Sequence, residues 1–235
     1  MLEKLAKQTA VYGISTIAVR FLSYLLTPVF TRVFEPEAYG IVTDVYALIP
    51  FALVVLTMGL ESAYFRFAAK ADAAAAAAGG TEGEIAAQAR AGKRRLFATA
   101  WGVTLLAASL FFLLTAFGRE RVAEWMGEAY VAHPEYVLLV AAVVWFDVAA
   151  CLPFSRLREQ GRAMTFVGIK ALGVVVNVAL AIGFALAGLY GTPFGVGWVF
   201  VANLIASAVT FNVILLTTDC TVPRIDRRLL AAVLV

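Results

Sequence analysis

The chain has 235 residues, of which 62% are hydrophobic and 15% charged, with a mean hydropathy of +0.87 and a net charge of +3. A water-soluble domain runs at about 45–50% apolar and about 25% charged residues, so this composition excludes an ordinary soluble fold and names lipid as the solvent. One histidine, His133, and two distant cysteines, Cys151 and Cys220, exclude a zinc site built on Cys/His spacing.

A membrane-crossing helix needs about 20 mostly apolar residues. Six stretches meet this: 8–31, 39–64, 96–117, 136–154, 164–189 and 195–216. The first continues past Phe30 with Arg20 inside it, which reads as a retained helix and not a cleaved signal. Its Gln8, Tyr12, Thr16, Arg20, Tyr24, Thr27 and Thr31 recur at steps of four or three and share one face. The second carries Thr43, Tyr46, Pro50, Thr57, Glu61 and Tyr64 on a weaker polar face, with Asp44 one position round. Pro50 removes a backbone donor and should kink this helix. Residues 71–91 (ADAAAAAAGGTEGEIAAQARA) are low in complexity, and Gly79 and Gly80 should end any helix there. They read as a partly mobile loop extending to about residue 92. Asp147 lies near the middle of the fourth stretch, at a depth matching that of Arg20, so a pair between them is expected from depth alone. In the fifth, Lys170, Gly173 and Asn177 share a face; in the sixth, Asn203, Ser207 and Thr210 do the same. These last two faces fit small-residue helix packing slightly better than a cavity.

The charges between the stretches alternate. Lys4 and Lys7 precede the first; Arg66, Lys70, Arg90, Lys93, Arg94 and Arg95 follow the second; Arg156, Arg158 and Arg162 follow the fourth; Arg224, Arg227 and Arg228 follow the sixth. The intervening loops are acidic or uncharged. Lysine and arginine mark the cytoplasmic side, so the N-terminus is expected inside. The expected organisation is an all-α, polytopic bundle over residues 1–218, followed by a basic cytoplasmic loop and the first turns of a seventh helix in 219–235. Ionisable groups at bilayer depth cost about 2.5–3.5 kcal/mol each on insertion scales and usually face a bundle interior. That makes Arg20, Asp44, Glu61, Arg66, Asp147 and Lys170 the candidate functional positions. No HExxH, GxSxG or GxxxxGK[ST] motif occurs, so neither an enzyme nor an ATP-driven pump is expected, and no cofactor or nucleic-acid partner is implied.

Three segments resemble the polysaccharide flippases of the MATE-like superfamily: KQTAVYGISTIAVRFLSYLLTPVFTRVFEPEAYGIV, LTMGLESAYFRF and PFSRLREQGRAMTFVGIKALGVVVNVAL. The resemblance covers most of the chain except the alanine-rich stretch. It implies the N-terminal lobe of a two-lobed, alternating-access transporter in a bacterial inner membrane, its substrate an undecaprenyl-type lipid-linked saccharide; with no nucleotide site, transport would be driven by an ion gradient (H⁺ or Na⁺) or by the substrate's own gradient. It implies Arg20 as the first choice for a phosphate contact, since a guanidinium donates two parallel hydrogen bonds. Arg66 and Lys170 come second, and Asn177, Tyr24 or Asp44 would meet sugar hydroxyls. A single lobe would need a second to complete a path. The competing readings are an exporter of small cations, centred on Asp147, and a non-transporting membrane scaffold.

Overall fold

The computed structural model describes residues 26–218, and all of the regular structure in them is helical. In chain order the helices are α1 (Thr27–Val33), α2 (Pro36–Thr57), α3 (Leu60–Ala78), α4 (Glu82–Phe117), α5 (Arg119–Met126), α6 (Glu128–Val131), α7 (Glu135–Glu159), α8 (Ala163–Leu186) and α9 (Gly197–Thr217), with a 3₁₀ turn at Leu189–Gly191. Five stretches are long and apolar enough to cross a membrane: Pro36–Ala78, Glu82–Phe117, Glu135–Glu159, Ala163–Leu186 and Gly197–Thr217. These correspond to the second to sixth expected spans. Of the first expected span only its last turns are described, so Arg20 and Tyr24 lie outside the described residues, as does 219–235.

Helix α7 is the hub. It packs against α2, α3, α4, α8 and α9 and buries Val143, Val144, Val148, Ala149, Leu152 and Leu157 almost completely. On the outside, Phe51 and Val54 of α2, Leu110 and Leu114 of α4 and Leu186 of α8 stand exposed. Backbone groups within lipid must be satisfied inside the segment, and apolar side chains there cost nothing to expose. The outward leucines and phenylalanines are therefore the lipid face of the bundle.

Two features correct the sequence expectation. The second span is not one helix: Met58 (φ 49°) and Gly59 (φ 69°) both adopt left-handed backbone and separate α2 from α3. The expected polar face from Thr43 to Tyr64 is consequently broken. Thr43 and Pro50 are exposed, whereas Thr57 and Tyr64 are buried. The second correction concerns the alanine-rich stretch, which is helical on both sides of a short break at residues 79–81. Alanine has the highest helix propensity, and Thr81 starts α4 with a capping box: its hydroxyl accepts from the Glu84 N–H while the Glu84 carboxylate accepts from the Thr81 N–H at 2.9 Å.

Helices α3 and α4 thus form an antiparallel hairpin. Tyr64, Ala68, Ala71 and Ala75 on α3 and Ile85, Ala89, Gly92 and Leu96 on α4 are the covered positions, each series spaced four, three, four. Small residues let the two backbones come close: a Cβ added at Gly92 would sit 3.4 Å from the Ala71 methyl. At 1.5 Å per residue the 36-residue α4 is about 54 Å long, against about 30 Å of hydrocarbon. Residues 82–95 account for about 21 Å of this and project beyond the apolar zone.

Helix α7 contains Pro153, which has no N–H to give the carbonyl of Ala149. The indole Nε1–H of Trp101, on α4, donates to that carbonyl instead, at 2.9 Å in a buried setting. Trp101 is held in place by stacking on Phe97, with centroids 5.6 Å apart.

Candidate functional site

Among the described residues the functional candidates do not converge on one point. They fall into an internal polar ladder and several outlying positions.

The ladder runs along one side of α7, where Asp147, Cys151, Ser155 and Arg158 follow at steps of four, four and three. At its deep end the Asp147 carboxylate has the Ser207 hydroxyl of α9 as hydrogen-bond partner and Lys170 of α8 as the neighbouring cation. The Lys170 ammonium lies 4.1 Å from the centroid of the Phe154 ring, a cation–π contact, and also senses Cys151 and Arg158. Lys170 is nonetheless exposed, while Asp147 is half-buried. Lys170 is therefore reachable from outside and is not sealed in a core. Opposite charges here lower each other's insertion cost.

At the shallow end Glu61, from the first turn of α3, accepts from the Ser155 hydroxyl at 3.1 Å, receives the Cys151 thiol at 3.7 Å and forms an ion pair with Arg158. Next to it is a second knot. Lys93 of α4 bridges Asp72 of α3 (2.8 Å) and Glu159 of α7 (2.7 Å), and the guanidinium of Arg156 sits 4.6 Å over Phe97. These contacts fasten the base of the hairpin to the hub helix.

A separate polar contact joins α2 to α8. The side chain of Asn177 hydrogen-bonds the Tyr46 hydroxyl, and Tyr190 lies close by with its own hydroxyl donating to the Ala181 carbonyl at 2.9 Å. Gly173, on the same face of α8 as Lys170 and Asn177, faces α9, where a Cβ would collide with the Thr210 hydroxyl. That part of the face is small-residue packing, as expected. Lys170 and Asn177 are not: they address α7 and α2.

The remaining candidates are placed elsewhere. Asp44 is exposed on α2, and its carboxylate acts on Tyr130 of α6, away from the ladder. Burial and then that negative charge push the Tyr130 hydroxyl up to about 12, so it remains a neutral donor to the Ile41 carbonyl. Arg66 is exposed on α3, over Phe67, and contributes nothing to the internal cluster. The expected Arg20–Asp147 pair involves a residue outside the described part; the described neighbours of Asp147 are Lys170 and Ser207. Sequence reading missed Tyr46 as a partner of Asn177. It also missed Ser155, Cys151 and Arg158, although the i, i+4 spacing from Asp147 could have found the first two. Among the described residues no group of three metal-ligating side chains occurs.

No curated protein and no solved structure matches the chain. The polysaccharide biosynthesis protein family does, over residues 5–227, which takes in every span and every residue of the ladder. With five apolar spans bundled together among the described residues and a family match over nearly its whole length, the chain belongs to the polysaccharide biosynthesis proteins and is a multi-pass membrane member of them.

Proposed function

We propose that the protein is a flippase that moves a lipid-linked oligosaccharide across a bacterial inner membrane by alternating access, without covalent chemistry. The observation that carries this reading is Lys170, a cation within an apolar span that has Asp147 as a neighbouring charge and is nonetheless exposed. A diphosphate headgroup that reaches Lys170 offers it a stronger partner than Asp147, and the exchange leaves Asp147 free to take up a coupling cation, H⁺ or Na⁺. Tyr46 and Asn177 supply neutral donors and acceptors suited to sugar hydroxyls. Arg20, on the first span and outside the described residues, is the first expected phosphate contact, and Lys170 is the described one.

The test is complementation in cells lacking their own flippase, scored by surface polysaccharide with membrane protein level as control. Lys170→Ala and Arg20→Ala should each abolish polysaccharide at normal protein level, and Lys170→Arg should retain part of it. Full polysaccharide with both alanines would remove the anionic-carrier reading. The hydrogen-bonded Asp147 supports one rival, a small-cation exporter; that reading gains if Asp147→Asn alone abolishes function while the Lys170 and Arg20 variants work.

A further inference from the structure

The α3–α4 hairpin is absorbed by neither the ladder nor the proposed transport path. Its membrane-proximal part carries five exposed cations: Arg66 and Lys70 on α3, and Arg90, Arg94 and Arg95 on α4. Antiparallel pairing brings them to similar height, because Ala71 sits against Gly92 and Asp72 bonds Lys93 at 2.8 Å. The nearby carboxylates are already engaged: Asp72 and Glu159 with Lys93, and Glu61 with Arg158. The other hairpin acids, Glu82 and Glu84, are at the far tip, where Glu84 closes the capping box on Thr81. The cations therefore form a surface of one sign.

Its position indicates the partner. Arg94 and Arg95 immediately precede Leu96 and Phe97, the first of a fully covered apolar run on α4. Arg66 and Lys70 each lie 5.1 Å from the ring centroid of Phe67, a half-buried aromatic, so the apolar side chain and its two flanking charges straddle a boundary between oil and water. At that height the nearest anions are lipid phosphates, held at high local concentration in two dimensions. Juxtamembrane lysine and arginine clusters are drawn to such a surface, and salt screens the attraction.

We propose that the base of this hairpin is a docking surface for anionic phospholipid headgroups of the bilayer, which anchors the projecting helices at a fixed angle to the membrane. This proposal depends on the membrane reading alone and is independent of what the protein transports.

The experiment uses the full chain in nanodiscs of phosphatidylcholine with a minority of phosphatidylglycerol. Native mass spectrometry after mild delipidation counts the lipids retained. The wild type should retain phosphatidylglycerol in excess of its share. Arg90→Gln/Arg94→Gln/Arg95→Gln and, separately, Arg66→Gln/Lys70→Gln should lose that excess, up to about five-fold per cation at low salt. Lys93 stays intact in both, so the hairpin clamp is untouched, and helix content by circular dichroism checks folding. Arg119→Gln/Arg121→Gln, which removes the same kind of charge at the opposite end of the bundle, should leave retention unchanged. Added salt should weaken retention in the unaltered protein, a readout that needs no variant. No enrichment in the wild type, or equal loss in the opposite-end variant, overturns the proposal. So does displacement of the lipid by free glycerol phosphate, which would mark a site for soluble phosphate. So would variants that keep their lipid but no longer retain polyglutamate, which would make the surface a dock for an acidic protein.

Discussion

The contact between Trp101 and Ala149 lends itself to a quantitative trial. Pro153 cannot donate to the Ala149 carbonyl, and the indole N–H of Trp101 fills the gap at 2.9 Å. Trp101→Phe keeps an aromatic ring against Phe97 but removes the donor. A buried carbonyl left without a partner costs about 1–3 kcal/mol, and the smaller ring adds about 1 kcal/mol of lost packing. Trp101→Phe should therefore destabilise the protein by about 2–4 kcal/mol. In a Pro153→Ala background the alanine N–H can donate to Ala149, so the same change at 101 should cost only the packing part. The expected coupling in the double-mutant cycle is about 1–3 kcal/mol. It can be measured by reversible unfolding of the full chain in lipid bicelles, with Pro153→Ala alone as the fourth corner. If Trp101→Phe costs the same in both backgrounds to within about 0.3–0.5 kcal/mol, the two sites are additive and the substitute-donor account fails.

Other consequences can be checked alongside. Thr81→Ala removes the capping box and should cost about 1 kcal/mol locally, read as faster amide exchange over the first turns of α4 with α7 unchanged. Lys93→Met breaks both of its ion pairs at once and should loosen the hairpin from α7, seen as increased exchange in residues 82–95 and a smaller effect on α9. Ala71→Leu, which forces a bulky side chain against Gly92, should splay the hairpin; a spin-label distance between exposed Ala74 and Ala87 should widen, and an unchanged distance would refute the close-packed seam. Gly173→Leu should separate α8 from α9 and destabilise the bundle by about 1–3 kcal/mol, since a side chain there meets the Thr210 hydroxyl.

The spans are legible because lipid imposes a long, monotonous requirement on sequence: the third to sixth windows each fall on one described helix, and the second falls on α2 and the start of α3. The hairpin was not legible as such. Low complexity and the Gly79–Gly80 pair argue for a loop, yet the seven alanines of residues 71–78 are also the best helix formers available, and Thr81-x-x-Glu84 is a helix start signal. The Met58–Gly59 break was concealed by unbroken hydrophobicity, since hydropathy carries no information on backbone φ. At the site, Asp147, Lys170 and Asn177 stood out as polar residues in apolar spans, whereas their partners did not. Ser207, Ser155 and Tyr46 are ordinary in membrane helices until a fold sets them opposite an ion. Arg158 was read as a loop charge because it follows the apolar window, although α7 continues to Glu159 and returns it to Glu61.

The two left-handed residues at Met58 and Gly59 also bear on how force passes through the molecule. A continuous helix from Pro36 to Ala78 would act as a rigid crank, so that any load on the projecting tip would turn the membrane-embedded half with it. Interrupting the hydrogen-bond ladder at Met58 turns that crank into a universal joint. The hairpin is then tied through Lys93 and Glu61 to α7, the helix that carries Asp147, and not along one continuous helix to α2.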